Sequence, residues 1–174
     1  MIDRFKGRWY FLSNFYPCEI KFKGIKYPSV EHYYVAQKFK GTQFYQGHYF
    51  TEPDFKELLA RVKEASDVKK IGQAMKTRPD WDAVKYDVMI RGVRYKFTKD
   101  DNLKQMLINT DSLNLTESNY WHDQYWGDCV CGRRSCFADG ENNLGKILMV
   151  VRDEITPKPE PSFEDIINKK FWDK

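Results

Sequence analysis

The stretch that decides the fold is residues 28–39, with the sequence PSVEHYYVAQKF. Pro28 ends an extended run and Ser29 is a favourable N-cap residue, so a helix is predicted to begin here. No glycine or further proline follows before Gly41, which allows one helix of about ten residues. Because the stretch is rich in aromatic side chains, the sequence predicts that this helix is not largely exposed to solvent.

One face of this helix combines an acid, an aromatic ring and an amine. Helical spacing places Glu31, Tyr34 and Lys38 on the same stripe. Charges on a partly buried face need either partners or a function. An acid in the first turn is favoured by the helix dipole, however, and a lysine can extend its amine to solvent. From spacing alone, a structural role for Glu31 and Lys38 is therefore favoured over a catalytic one.

The composition is that of a single domain followed by a tail. The chain has 174 residues, of which 41% are hydrophobic, enough for a substantial core. Aromatic residues are abundant, with 12 Phe, 11 Tyr and 5 Trp, and such side chains line pockets as well as cores. The net charge of +4 is spread along the chain and is compatible with an anionic small molecule or with nucleic acid as a partner.

The sequence predicts neither a targeting segment nor a membrane segment. The first six residues, MIDRFK, contain no apolar signal core, and the longest aliphatic run, residues 147–151, is far too short to span a bilayer. The four cysteines are too few and too clustered for a secreted disulfide scaffold. We therefore expect a soluble, cytoplasmic protein without a membrane partner, and the sequence leaves the oligomeric state open.

The order of elements predicts an α+β fold that is mainly helical, with a small β element near the N-terminus. Short apolar or alternating runs predict strands at 8–12, 18–22 and 25–27, whereas residues 42–51 are expected to form an irregular loop. Apolar residues at helical spacing predict five further helices, which begin near Pro53, Ser66, Trp81, Asp100 and Asn142. Residues 156–174 are predicted to be a Pro-rich linker and a short tail.

A second candidate site lies in the long segment 118–141, which has little periodicity but is rich in large aromatic residues. A loop of this length in a compact domain is usually functional or disordered, and the aromatic content argues against disorder. Around Trp126 lie three acids and a histidine, a set suited to holding a planar ring and moving protons: Glu117, His122, Asp123 and Asp128. The alternative is a surface loop whose tryptophans fill the core, and the sequence does not separate the two.

Three cysteines occupy the same segment. Cys129, Cys131 and Cys136, together with His122, could supply four zinc ligands. No CxxC pair is present, however, and this spacing matches no common zinc ribbon or finger. Free thiols are therefore favoured, and no metal site is predicted.

Five blocks of sequence, in order, resemble the NADAR (YbiA-like) family. They are 11–17 (FLSNFYP), 27–39 (YPSVEHYYVAQKF), 78–81 (RPDW) with Met89, 123–128 (DQYWGD) and 143–152 (NLGKILMVVR). The resemblance implies a single compact YbiA-like domain over residues 1–155, mainly helical and with small β elements. This agrees with the order of elements described above.

The resemblance also implies N-glycosidase chemistry without a cofactor. Family members are known to cleave the bond between ribose and a base-like nitrogen, either in ribosylaminopyrimidine phosphates of riboflavin synthesis or in ADP-ribosylated guanine. The expected partner is accordingly a small ribosylated substrate or an ADP-ribosylated nucleic acid. The rival function is a non-catalytic module that binds ADP-ribose or a related nucleotide, and a weaker rival is a zinc-stabilised nucleic-acid binder.

The family resemblance gives catalytic roles to the amine and the acid of residues 28–39. The family is thought to form a Schiff base between a lysine and the opened ribose, and Lys38 is the position that matches. Such a lysine must be partly neutral, which requires burial or nearby positive charge. Glu31 would carry a proton to the departing nitrogen. The two Cα atoms would lie about 10 Å apart in a regular helix, so the side chains are expected to meet at one substrate.

The remaining matched positions are predicted to bind the substrate. Trp126 would stack on the base, and nearby acids would hold the edge of the base or the ribose hydroxyls: Glu117, Asp123 and Asp128. Asn14 is a candidate for a phosphate or carbonyl contact, as are Arg4 and Arg8. Gly127 and Asn143 complete the predicted substrate-binding set.

The chain departs from the family between Asp128 and Asn143. The family usually has a short Gly-rich link there, whereas this segment is longer and carries the three cysteines and Arg133-Arg134. An insert at this place would border the predicted pocket and thus affect the choice of substrate. Its basic residues would favour a larger polyanionic substrate.

Overall fold

The computed structural model describes residues 1–158, which form a mainly helical α+β domain. Its α-helices are α1 (Val30–Gln37), α2 (Glu52–Arg61), α3 (Ala65–Ala74), α4 (Trp81–Lys99), α5 (Asp101–Ile108) and α6 (Asn143–Ile155). Two antiparallel hairpins pair β1 (Ile20–Phe22) with β2 (Ile25–Tyr27) and β3 (Gln43–Tyr45) with β4 (His48–Phe50), and a short parallel pair joins β5 (Ser118–Asn119) to β6 (Asp128–Cys129). The predicted fold class is confirmed.

Helix α1 lies at the centre of the domain, since α2, α3 and α4 all pack against it. Every residue from Val30 to Gln37 is buried, including the polar residues Glu31 and His32. The predicted N-cap is present, because Oγ of Ser29 accepts a hydrogen bond from the backbone N–H of His32 at 3.3 Å. The helix therefore has no solvent-exposed face, and its charged side chains belong to the interior.

Two glycines allow the neighbouring helices to approach α1 closely. A Cβ atom at Gly72 of α3 would lie 2.7 Å from Cγ1 of Val35, and one at Gly92 of α4 would lie 2.8 Å from Cδ1 of Tyr33. Both distances are shorter than van der Waals contact, so a larger residue would force the helices apart. This close packing fixes the position of the helix that carries the predicted catalytic acid.

Two segments adopt structures that differ from the predicted ones. Gly7–Leu12 includes the predicted strand 8–12 but forms a 3-10 helix, because a short apolar run does not distinguish a strand from a helical turn. Residues 42–51, predicted as an irregular loop, contain the hairpin β3–β4. Its turn places Gln46 and Gly47 at φ values of 48° and 82°, a conformation for which Gln-Gly is a weaker signal than Asn-Gly.

The predicted division into a domain, 1–155, and a tail, 156–174, remains a prediction. Helix α6 ends at Ile155, and only the first three residues of the predicted linker and tail, 156–174, are described. The amphipathic segment predicted for 162–174 lies outside the described residues. None of the helices within residues 1–158 combines the length and the apolar character that a membrane crossing requires.

Candidate active site

A polar pocket of about 200 Å³ lies between α1, α3 and the loop that follows α5. Six of the residues predicted for the site line it: Asn14, Glu31, Lys38, Glu117, Asp123 and Trp126. Lys38 and Trp126, which are far apart in the sequence, therefore face the same cavity. With Lys69 and Trp121, which also line the pocket, the fold thus brings two amines, three carboxyl groups and two indole rings together in a small volume.

Helix α1 supplies one wall of this pocket. Glu31, Tyr34 and Lys38 all line the cavity from one face of the helix, as helical spacing predicted. Lys38 directly follows the helix, and its carbonyl accepts a hydrogen bond from the backbone N–H of Arg78 at 2.8 Å. This bond joins the RPDW block to the end of α1, where the Trp81 ring packs 5.0 Å from the Tyr34 ring. The RPDW block thereby supplies Trp81, one of the aromatic rings next to the Lys38 amine.

The amine of Lys38 lies in a partly desolvated, aromatic environment. Its Nζ lies 5.4 Å from the centroid of the Tyr34 ring and 5.9 Å from that of Trp81. Within residues 1–158 it forms no ion pair with a carboxylate. Burial lowers the pKa of Lys38, while the Glu31 carboxylate opposes this shift and the Lys69 ammonium adds to it. The neutral, nucleophilic form is therefore more populated than in an exposed lysine.

Glu31 is a buried acid, with only 8% of its surface exposed. Burial raises the pKa of Glu31 to about 7, although the Lys69 and Lys38 ammonium groups oppose the shift. A carboxyl group with this pKa is partly protonated near neutral pH, as a proton donor must be. The backbone N–H of Glu31 donates to the carbonyl of Asn14 at 3.0 Å, which fixes the start of α1 against the FLSNFYP segment.

A buried lysine that the sequence analysis did not single out holds the FLSNFYP segment in place. Lys96 of α4 is 2% exposed, and its Nζ donates to the carbonyl of Ser13 at 2.8 Å. Burial lowers the pKa of Lys96 to about 8. The adjacent Asn14 donates its side-chain amide to Sδ of Met89, also on α4, at 3.3 Å. Two contacts with one helix thus place the Asn14 side chain at the pocket.

The segment 118–141, which we call the aromatic loop, supplies the opposite wall of the pocket. The Asp123 carboxylate accepts hydrogen bonds from the backbone N–H groups of Tyr125 at 3.2 Å and Trp126 at 2.8 Å, which closes a tight turn. The buried Asn119 holds the same turn by donating to the Asp123 carbonyl at 2.7 Å. Nε1 of Trp126 donates to the Tyr34 hydroxyl at 3.2 Å, with the two rings at 89°. The loop is therefore joined directly to α1.

Three predicted substrate-binding residues lie outside the pocket lining: Gly127 and Asp128 in the aromatic loop and Asn143 at the start of α6. A Cβ atom at Gly127 would lie 2.2 Å from the carbonyl oxygen of Glu117, so glycine is needed where two segments of the loop approach. The side chains of Asp128 and Asn143 each form a hydrogen bond of 2.8 Å within the loop. Their geometry is that of supporting residues, and a direct contact with substrate remains a prediction for them.

Glu117 brings an unsatisfied oxygen to the pocket. Within the described part of the chain, Oε2 of Glu117 is buried and has no hydrogen-bond partner. Such an atom is costly to bury, so a donor from a bound ligand is its expected partner. Burial raises the pKa of Glu117 to about 7, and the nearby Asp123 adds to the shift. Its backbone N–H donates to Oδ1 of Asn142 at 3.0 Å, which holds Glu117 beside the start of α6.

Replacing Glu117 by glutamine should stabilise the protein at alkaline pH. The folded state holds the carboxyl proton up to about pH 7, whereas the unfolded state loses it near the ordinary value of 4.5, so this group lowers stability as the pH rises through that interval. Glu117→Gln removes the loss, which by the raised pKa is at most about 3 kcal/mol. We expect Tm to rise by several degrees at pH 8 and to change little at pH 4.5, as measured by thermal melting.

The matched control for this prediction is Glu57→Gln, which removes an exposed carboxylate on α2. Its Tm should change by a similar small amount at both pH values. If Glu117→Gln gave no gain at pH 8 beyond that of the control, Glu117 would not be a destabilising buried carboxylate.

A second cavity of about 420 Å³ shares residues with the pocket, and we call it the outer groove. Its basic lining residues are Arg4, Lys6, Lys69 and Lys70. Nζ of Lys69 lies 5.7 Å from the Phe15 ring and 5.4 Å from the Trp121 ring, and all three residues line both cavities. Lys69 therefore marks the passage from the pocket to the outer groove. Of the two arginines predicted as phosphate contacts, Arg4 lines the groove, whereas Arg8 stacks on Trp9 at 4.6 Å and lines neither cavity.

Lys69 and Gln73 are pocket residues that the sequence analysis missed. Both lie on α3, four positions apart, so they occupy one face of that helix. Their spacing of four residues, on a helix whose apolar positions are Val68 and Ile71, indicates a polar face distinct from the apolar one. It does not indicate that this face lines a pocket.

The fold and the pocket together define a helical α+β domain with a polar site that is built by a central helix and an aromatic loop. The sequence model of the NADAR domain family matches residues 4–156. The chain therefore belongs to the NADAR domain family, and the resemblance carried by the five sequence blocks is confirmed.

Relatives and a solved structure agree with this membership. The chain is 31% identical over 145 residues to N-glycosidase YbiA of Escherichia coli, which covers 82% of this chain and 79% of that protein. It is 35% identical over 147 residues to a riboflavin biosynthesis protein of Vibrio vulnificus and 33% identical over 154 residues to the chloroplastic riboflavin biosynthesis protein PYRR of Zea mays. The chain spans only 35% and 23% of the lengths of these two proteins. The NMR structure of Escherichia coli YbiA superposes with a TM-score of 0.67 at 28% identity, covering 98% of this chain and 90% of that one.

Proposed function

We propose that the chain is an N-glycosidase that hydrolyses the bond between ribose and a base-like nitrogen, with Lys38 as nucleophile and Glu31 as proton donor. The observation that carries this proposal is the pocket itself, in which a lysine of lowered pKa and a carboxyl group of raised pKa face one small cavity with a tryptophan. The name N-glycosidase, borne by relatives of which the chain covers about four fifths, supports the same reaction type.

The lysine would form the first covalent bond of the reaction. The lone pair of neutral Nζ attacks C1′ of the ribose while the bond from C1′ to the base nitrogen breaks, and the departing nitrogen takes a proton. Opening of the ribose ring then gives a Schiff base between C1′ and Nζ. Water adds to this carbon and releases the lysine, so that the products are the free base and ribose with a hydroxyl group at C1′. The burial of Lys38, which lowers its pKa, favours the neutral amine that the first step needs.

Glu31 is the proposed source of the proton for the departing nitrogen. Its raised pKa keeps part of the population protonated near neutral pH. After the base has left, the carboxylate of Glu31 can take a proton from the attacking water and so return to its starting state. The neighbouring Asp123 and Glu117 carboxyl groups would accept hydrogen bonds from ribose hydroxyls, and Oε2 of Glu117 has a free acceptor position within the described chain.

The two cavities support a substrate that carries phosphate. The pocket volume of about 200 Å³ is below the range of about 300–1,000 Å³ that is usual for drug-sized ligands, so a ribosylated base would fill it. Phosphate groups would then extend past Lys69 into the outer groove with its basic lining. Both a ribosylaminopyrimidine phosphate and an ADP-ribosylated guanine meet this description.

The test is the cleavage of these two substrates by the purified protein, which should release a free aminopyrimidine from the first and restore unmodified guanine in the second. One sample contains a 5-phosphoribosylamino-pyrimidine and the other an oligonucleotide with ADP-ribosylated guanine, and chromatography measures ribose phosphate or ADP-ribose set free. We expect multiple turnovers on one of the two. Tight binding of both without release of either product would contradict the enzyme and would leave the nucleotide-binding module as the function.

A further inference from the structure

The aromatic loop holds a cluster of four metal-ligating groups outside the pocket. The side chains are His122, Cys129, Cys131 and Cys136, and their ligand atoms all lie within 4.8 Å of one another. Nδ1 of His122 lies 3.3 Å from Sγ of Cys136, 3.4 Å from Sγ of Cys131 and 3.7 Å from Sγ of Cys129. All three cysteines are free thiols, and two of them are buried.

The backbone of the loop explains how residues without a CxxC spacing converge. The parallel pair β5–β6 places Cys129 beside Asn119, so that the chain near His122 lies next to the first cysteine. Gly132, at a φ of 75°, then turns the chain back after Cys131. A short 3-10 turn at Arg134–Cys136 returns the last cysteine to the cluster. Backbone pairing and a glycine turn therefore bring these ligands together, whereas common zinc motifs place two of their ligands on a single CxxC turn.

We propose that these four residues bind a structural zinc ion. Zinc bonds of about 2.3 Å to sulfur and about 2.0 Å to nitrogen, at tetrahedral angles, place sulfur and nitrogen ligands about 3.5 Å apart. The three distances from His122 Nδ1, between 3.3 and 3.7 Å, match this value. A Cys3His set is a usual ligand combination for structural zinc, and four protein ligands leave no open position for substrate or water.

The surroundings of the cluster suit thiolate ligands. The backbone N–H of Arg133 donates to Sγ of Cys131 at 3.5 Å, and Oγ of Ser135 lies 3.8 Å from Sγ of Cys136. The backbone N–H of Cys129 is bound by the side chain of Gln124 at 2.8 Å, which fixes the position of that residue. The N–H of Arg133 would compensate part of the negative charge of a Cys131 thiolate, and the contact with Gln124 orients Cys129 as a ligand.

Zinc binding by His122 would also affect the geometry of the pocket. His122 lies between Trp121 and Asp123, both of which line the pocket, and it holds a left-handed φ of 68°. A bond from zinc to His122 would fix these two neighbours relative to β6. The proposal is independent of the N-glycosidase reaction, because metal content and substrate turnover are measured separately.

Metal analysis of the purified protein tests this proposal. We expect one zinc per chain by native mass spectrometry, and Co²⁺ added to the reduced, metal-free chain should give the visible bands and thiolate charge-transfer absorption of a tetrahedral cysteine site. The double variant Cys131→Ser/Cys136→Ser should lose the zinc and these bands. The control Cys18→Ser changes the one cysteine outside the cluster and should keep both.

Two results would overturn the zinc site. One is a wild-type protein that contains no stoichiometric zinc and gives no thiolate absorption with Co²⁺. The other is a double variant that retains zinc at the wild-type level. If the double variant does not fold, the Co²⁺ spectrum of the reduced wild-type chain decides the question alone, since it needs no substitution.

Discussion

Replacing Lys38 by alanine should lower kcat/KM for base release by at least about 10³-fold and should leave the fold unchanged. The lysine is the proposed nucleophile, so no covalent intermediate can form without it. Its side chain is half-buried and makes no ion pair within the described chain, so its removal leaves no buried partner unsatisfied. Steady-state kinetics measure the loss, and thermal melting checks that the variant remains folded.

Borohydride trapping measures the covalent step itself. Reduction during turnover should attach the ribose fragment irreversibly to Lys38 of the wild-type protein, and peptide mass mapping should locate it there. Lys40→Ala is the matched control, since it removes an exposed lysine two positions away, and it should retain both activity and adduct. Lys69 is the other amine of the pocket. An adduct that persists in Lys38→Ala, or that maps to Lys69, would remove Lys38 from the nucleophilic role.

Replacing Glu31 by glutamine should lower kcat by about 10²–10³-fold, within the range that general acids contribute. The substitution retains size and burial but removes the proton that the departing nitrogen needs.

Turnover requires a protonated Glu31 and a neutral Lys38, so the active form carries one proton on the pair. The pair holds two protons below about pH 7 and none above the lowered pKa of Lys38. kcat/KM of the wild-type protein should therefore rise through about pH 7 and fall again at higher pH.

The pH profile of Glu31→Gln separates catalysis from a structural role. The falling limb should disappear, because glutamine has no proton to lose. The rising limb should follow the titration of Lys38 alone, whose pKa is lower still without the neighbouring carboxylate. Glu64→Gln, which changes an exposed carboxylate, should keep the wild-type profile. A Glu31→Gln variant that kept the bell-shaped profile would show that another group donates the proton.

The helices were predictable because their signals are local. Ser29 before an uninterrupted run predicted α1, and Asp100 predicted α5, where its carboxylate accepts from the backbone N–H of Leu103 at 3.0 Å. The strand predicted at 8–12 was wrong for the opposite reason. A short apolar run takes its conformation from whatever surface it packs on, and here the surface is offered by the helical core, with Phe11 packing on Phe97 of α4.

The candidate site was predicted in part, and the remainder depends on tertiary structure. Spacing alone placed Glu31 and Lys38 on one face, but their desolvation results from α3, α4 and the aromatic loop, which lie far away in the sequence. Lys69 and Lys96 were missed because a lysine on a helix usually extends to solvent. The four residues of the cysteine cluster were named from the sequence, but no metal site was predicted, because their convergence depends on the pairing of β5 with β6, which no spacing rule describes.

The burial of α1 on every side separates the proposed reacting groups from the loop that lines the other side of the pocket. The reacting groups are anchored in the core, where almost any change disturbs helix packing, as the contacts of Gly72 and Gly92 show. The loop 118–141 supplies the opposite wall of the pocket through Trp121, Asp123 and Trp126, whereas most of the outer groove is lined by the N-terminal segment and α3. Under the proposed function, changes within residues 118–141 should therefore alter how the substrate is held in the pocket while Glu31 and Lys38 keep their positions. Chimaeras that graft this loop between relatives offer a direct route to altered specificity.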